Sequence, residues 1–210
     1  VTRTMDDLFW LGCWILAHAV AFAIALAIDF TIVANSNMVS LILPAGVISG
    51  CCSGSVEAWL LRGRCRRPGW LLAITILATP LGIIWTLAVF CILFRLLGEG
   101  IQSLLLQVII LGLCVGMVVG IFQAPFLRCR LSYALGWIAI AALSRSIGWV
   151  AGVSLFNGYG LANEAVLAAL SGALGGAIYG TITGRYLQQA IPLRQQTASN
   201  PKQGTIKHQP

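Results

Sequence analysis

Five side chains stand out because their surroundings make them costly: His18, Glu57, Gln123, Arg145 and Thr183. Each lies within a stretch dominated by Leu, Ile, Val, Ala and Gly. A charge at the centre of a bilayer costs about 2.5–3.5 kcal/mol on insertion scales, so an ionisable residue there is a functional candidate. Glu57 and Arg145 have the chemistry of an ion pair, and His18 adds an imidazole, the side chain that ordinarily titrates near neutrality. Gathered together, these groups would form a polar centre able to bind a small polar solute or pass protons. A structural reading competes with this one. Glu57 would then turn to the arginine cluster that begins at Arg62. Gln123 and Thr183 would hydrogen-bond between helices for about 0.6 kcal/mol each. Arg145 would be neutralised by one carboxylate or by backbone carbonyls. Arg145 sits between Ser144 and Ser146, too deep in its segment to snorkel to either surface.

Three of the five are related by spacing. Gly46, Gly50 and Gly54 precede Glu57; Gly112, Gly116 and Gly120 precede Gln123; Gly172, Gly176 and Gly180 precede Thr183. The pattern advances by 66 positions and then by 60, and Glu57, Gln123 and Thr183 occupy one equivalent position in three units. Glycines at i, i+4 and i+8 share one face of a helix. Lipid supplies no hydrophobic drive between helices, so such a face serves close backbone approach and weak Cα–H···O contact. The spacing therefore predicts glycine ladders that pack helices together.

Composition sets the environment. Hydrophobic residues make up 59% of the 210 and charged residues 9%. Mean hydropathy is +0.90. A soluble domain carries roughly a quarter charged residues, so the chain reads as an integral membrane protein with the lipid bilayer as its first partner. The net charge of +7 comes from short Arg clusters and the C-terminal stretch. That distribution reads as a topology signal, with no nucleic-acid partner. Seven cysteines are scattered through apolar segments without a CxxC, which predicts neither a metal site nor a disulfide framework. Ser49 and Ser53 have no catalytic base in reach of the sequence pattern, since the second histidine, His208, lies in the polar C-terminal stretch. No enzyme and no cofactor is expected.

Six spans follow from the apolar runs, each near the ~20 residues that a bilayer requires. They cover about 8–28, 38–61, 70–94, 101–127, 133–156 and 163–187. Asp29 through Ser40 reads as a polar turn, Pro80 as a kink in the third span, and Trp10 and Trp14 as interfacial aromatics. Gly69-Trp70 recurs as Gly136-Trp137, and Gly82 as Gly148. The expected fold is an all-α membrane domain over 1–187, made of three repeated hairpins (8–62, 69–128, 133–187). Residues 188–210 are expected to form a disordered cytoplasmic tail. One hairpin cannot bury its close-packing face alone. Arg and Lys gather after spans two, four and six, with Arg95 the exception. The positive-inside rule then places both termini in the cytoplasm. Two function classes fit: a non-enzymatic structural or accessory component that associates with other membrane subunits or with itself, and a small-solute or ion transporter.

The pattern Gly-x3-Gly-x2-(Glu/Gln)-x3-Leu-Arg, at Gly50 to Arg62 and Gly116 to Arg128, resembles one in uncharacterised multispanning membrane proteins of cyanobacterial type. The resemblance covers most of residues 46–187. It implies the repeated hairpin fold and a bacterial inner or thylakoid membrane, and it carries no activity. The third unit departs from it: Thr183 replaces the acid or amide, and Gly184-Arg185-Tyr186 replaces the Leu-Arg ending.

Overall fold

The computed structural model describes residues 5–34, 38–62, 67–97, 103–127, 131–158 and 164–190. These form six α-helices: α1 (Met5–Ala34), α2 (Met38–Leu60), α3 (Pro68–Leu97), α4 (Leu104–Gln123), α5 (Leu131–Gly158) and α6 (Glu164–Ala190). A single 3-10 turn, Ala124–Phe126, follows α4, where Pro125 withdraws a backbone donor. Among the described residues five helices are long and apolar enough to cross a membrane, which makes the chain a multi-pass membrane protein. They are the spans Met5–Asp29, Pro68–Leu96, Leu104–Phe126, Tyr133–Ser154 and Ala165–Ala190. The expected second span is helical as α2, but α2 is not one of the five.

The helices outrun several expected ends. Asp29 and Thr31 stand on α1 and not in a turn, because the apolar run continues and the Thr31 hydroxyl donates back to the Ala27 carbonyl. Arg95 likewise belongs to the last turn of α3. Residues 188–190, the start of the expected tail, belong to α6, and the rest of it, 191–210, lies outside the described residues, as do Arg64, Arg66, Arg128 and Arg130.

Each helix packs on its neighbours in sequence, and α6 closes on α1, so the six form a ring. Extensive contacts join α1 with α6, α4 with α5 and α2 with α3, and the first is the most extensive of all. Glycine explains how these three interfaces become so close. A Cβ on Gly50 would stand 2.9 Å from the Ile76 Cα on α3, and one on Gly116 would stand 2.6 Å from the Ala142 Cα on α5. A Cβ on Gly176 would run into the His18 carbonyl on α1.

The ring is apolar outside and polar inside. On α1 the outward stripe is Leu16, Val20, Ile24 and Ile28, all exposed, while Trp14, His18, Ala21, Phe22 and Ala25 are buried. An exposed girdle of large apolar side chains suits a hydrocarbon solvent, in which backbone polar groups are satisfied within each helix. At the end of the bundle where α2, α4 and α6 finish, Trp14, Leu71, Trp137, Leu61, Leu127 and Leu187 join in one buried apolar layer. Trp14 is fully buried in this layer, which corrects its reading as an interfacial aromatic.

Candidate functional site: a buried polar centre

Directly above that layer lies the Glu57 carboxylate, 1% exposed. Glu57 is held there by α2, whose glycine face brings α3 against it. The Gln123 amide of α4 donates to Oε2, and the Thr75 hydroxyl of α3 is 3.4 Å from the same oxygen. Gln123 Nε2 also donates to Thr75 Oγ1 at 2.9 Å, while its Oε1 accepts from the Trp137 indole of α5 at 3.2 Å. Oε1 of Glu57 accepts from the Tyr179 hydroxyl of α6 at 3.2 Å and faces His18 Nε2 of α1 at 3.7 Å. One carboxylate is therefore met by side chains from four other helices, and the fifth reaches it through Gln123. Burial of this side chain is tolerable because each of its oxygens meets a hydrogen-bond donor.

The imidazole is oriented from behind. His18 Nδ1 lies 2.9 Å from the Trp14 carbonyl, which can only accept, so Nδ1 carries the hydrogen. Nε2 then faces Glu57 Oε1 at 3.7 Å, beyond hydrogen-bond reach, and has no hydrogen-bond partner among the described residues. Trp14, His18 and Phe22 recur every fourth residue on α1 and stack with Tyr179: Trp14 on His18 at 4.5 Å, His18 on Tyr179 at 5.2 Å, Phe22 on Tyr179 at 5.6 Å. Thr183, one turn beyond Tyr179, accepts from the Trp14 indole at 3.1 Å and donates to the Tyr179 carbonyl at 2.7 Å.

Arg145, 2% exposed, approaches from α5 on the far side of Tyr179. Its Cζ lies 5.2 Å from the Tyr179 ring centre and 5.5 Å from that of Phe22, a cation–π arrangement with two faces. The direct Glu57–Arg145 pair does not form. Tyr179 stands between them, donating its hydroxyl proton to Glu57 with Arg145 on its other side. Arg62 does not reach Glu57 either: it is exposed and its Cζ lies 5.9 Å over the Trp59 ring.

All five residues picked out from the sequence are thus buried around Tyr179, with Glu57 bonded to Gln123 directly. Tyr179, Thr75, Trp14 and Trp137 complete the network and were not anticipated in it. Tyr179 precedes Thr183 by one turn, and Trp14 precedes His18 by one turn, so helical spacing from the five was the available signal. Trp70, the expected counterpart of Trp137, is 56% exposed and takes no part. Among the described residues no group of three His, Cys, Asp or Glu could hold a metal ion.

A cavity of about 380 Å³ opens in the other half of the bundle, between α1, α4, α5 and α6. Its walls are apolar apart from Asp29 and Ser171. The Ser49 hydroxyl donates to Asp29 Oδ2 at 3.1 Å, which ties α2 to α1 at this level. Comparison with protein-family models, with curated proteins and with solved structures gives no match to this chain.

Proposed function

We propose that this chain is a non-enzymatic structural or accessory component of a membrane, a six-span ring whose polar centre holds its helices together. The observation that carries the reading is the convergence of His18, Thr75, Gln123 and Tyr179 on the single carboxylate of Glu57. A buried carboxylate that accepts from Gln123 on one oxygen and Tyr179 on the other pins α4 and α6 to α2, and it offers little to a passing solute. The apolar layer of Trp14, Leu71, Trp137, Leu61, Leu127 and Leu187 beneath it is sealed by close packing, which also favours a pin over a pore.

In this reading the ring comprises three repeated units. Support comes from equivalent contacts. Gly50, Gly116 and Gly176 lie against Ile76, Ala142 and His18-Ala19. Leu61, Leu127 and Leu187 keep the same offsets as Glu57, Gln123 and Thr183 and share one layer. Each glycine ladder packs on the first helix of the following hairpin, and the third packs on the first helix of the chain. The ladders link hairpins to one another. Both termini face the cytoplasm by the arginine distribution, and the apolar outer face is free to meet lipid, other membrane subunits or a second copy.

The test is thermal unfolding of purified protein in lipid nanodiscs. Glu57→Ala orphans the Gln123 and Tyr179 donors, each worth roughly 1–3 kcal/mol when buried without a partner. It should lower the melting temperature strongly, and Glu57→Gln should lower it less. An unchanged melting temperature for Glu57→Ala would remove the pinning role. A second reading, proton or small-solute passage, is favoured by the buried imidazole of His18 facing the Glu57 carboxylate at 3.7 Å. It expects Glu57→Gln to keep its melting temperature and to lose flux in liposomes.

A further inference from the structure

The guanidinium of Arg145 has more donors than the polar centre uses. Nε and Nη2 are buried and have no hydrogen-bond partner among the described residues. These two nitrogens form one side of the planar fork, with parallel N–H bonds that match the two oxygens of a carboxylate. Leaving both unpaired in a protein interior is costly, and cation–π contact with Phe22 and Tyr179 covers the ring faces without touching that edge.

Space adjoins the arginine. A void of about 20 Å³ is lined by Arg145, Ser49, Ala25, Phe22, Leu26 and Trp149. Phe22, Leu26 and Trp149 also line the 380 Å³ cavity, so the two spaces share a wall. The larger one falls within the usual range for small-molecule pockets, about 300–1,000 Å³. Its lining is Leu26, Val108, Leu111, Val153 and similar groups, with Trp149 and Phe22 at the side toward Arg145. An apolar chamber beside a small void that holds one bidentate cation selects for a particular ligand class.

We infer that this half of the bundle binds a small organic monocarboxylate, its two oxygens on Nε and Nη2 of Arg145 and its apolar body in the cavity. Trp149 and Phe22 flank the junction between the two parts. Asp29, which also lines the cavity, disfavours a second negative charge, which restricts the class to monoanions. The site requires only that the ring be folded; it does not depend on transport or on the pinning role of Glu57.

The probes are hexanoate and benzoate, with hexanol and hexylammonium as charge controls and chloride as a bare anion. Binding is read by tryptophan fluorescence and by melting temperature, with the full chain in nanodiscs. The carboxylates should quench fluorescence saturably and raise the melting temperature; the controls should do neither. Arg145→Lys keeps the charge but loses the fork and should weaken binding at least tenfold. Val153→Phe, which fills the cavity without touching Arg145, should weaken it by a similar factor while circular dichroism stays unchanged. Val153→Phe decides the matter even where the arginine variant fails to fold. Equal effects of hexanol and hexanoate, an equal shift with chloride alone, or full binding by Val153→Phe would each overturn the assignment.

Discussion

Thr183 shows how one hydroxyl serves two helices. It donates along its own helix to the Tyr179 carbonyl and accepts from the Trp14 indole of α1. Thr183→Val keeps the shape but leaves a fully buried N–H with no acceptor, at roughly 1–3 kcal/mol. Thr183→Ser keeps the acceptor and should cost much less. Chemical or thermal unfolding of the two variants measures the difference, and equal losses would show that the methyl group matters and the hydrogen bond does not. The threonine itself was legible in the sequence, as the third member of the set with Glu57 and Gln123. Its partner was not, because a tryptophan near the start of an apolar span has the same signature whether it lies at the interface or in the core. Tyr179 and Thr75 escaped for a related reason: a lone hydroxyl in a membrane helix is ordinary until a carboxylate is known to face it.

At the scale of the helix, the glycine spacing led to an expectation of close-packed faces but held nothing about what they face. Hairpin partners and the next hairpin are both adjacent in the chain, and a single sequence holds no information to choose between them. The structure puts Gly176 against His18 and Ala19 across the α1–α6 interface, whereas Gly12 on α1 has no neighbour within 4 Å. The two glycines should therefore respond oppositely to the same change. Gly176→Ala forces α6 away from α1 and should lower the melting temperature by several degrees. Gly12→Ala should leave it unchanged or raise it, since alanine is favoured over glycine in a helix by up to about 1 kcal/mol. A harmless Gly176→Ala would mean that the interface is looser than its backbone contacts require. Span boundaries were legible within a few residues from the apolar runs; the longer reach of α1 and α3 was hidden by Asp29 and Arg95, whose charges read as stops.

For the molecule as a whole, a ring in which every helix touches two neighbours has no helix that can leave alone. Titration with a denaturing detergent should show one transition. Fluorescence of the tryptophans and circular dichroism of all six helices should report the same midpoint, the usual sign of two-state behaviour. Two separated midpoints would show that part of the ring opens first. The cavity was not legible at any scale of sequence reading. Its lining includes the small residues Gly148, Gly152, Ala168, Gly172 and Gly175 of α5 and α6, and emptiness has no signature of its own in a string of glycines and alanines.

The closure of α6 onto α1 also imposes an order on synthesis. Trp14 and Thr183 are 169 positions apart. At chain elongation rates of about 5–20 residues per second, α1 waits on the order of ten to thirty seconds for α6. During that interval the His18 ring lacks Tyr179 and the Trp14 indole lacks its Thr183 acceptor. A chain interrupted before α6 would present an open arc with an unpaired polar seam. Seating α6 supplies the Tyr179 hydroxyl to Glu57 and the Thr183 acceptor to the Trp14 indole, and so closes that seam.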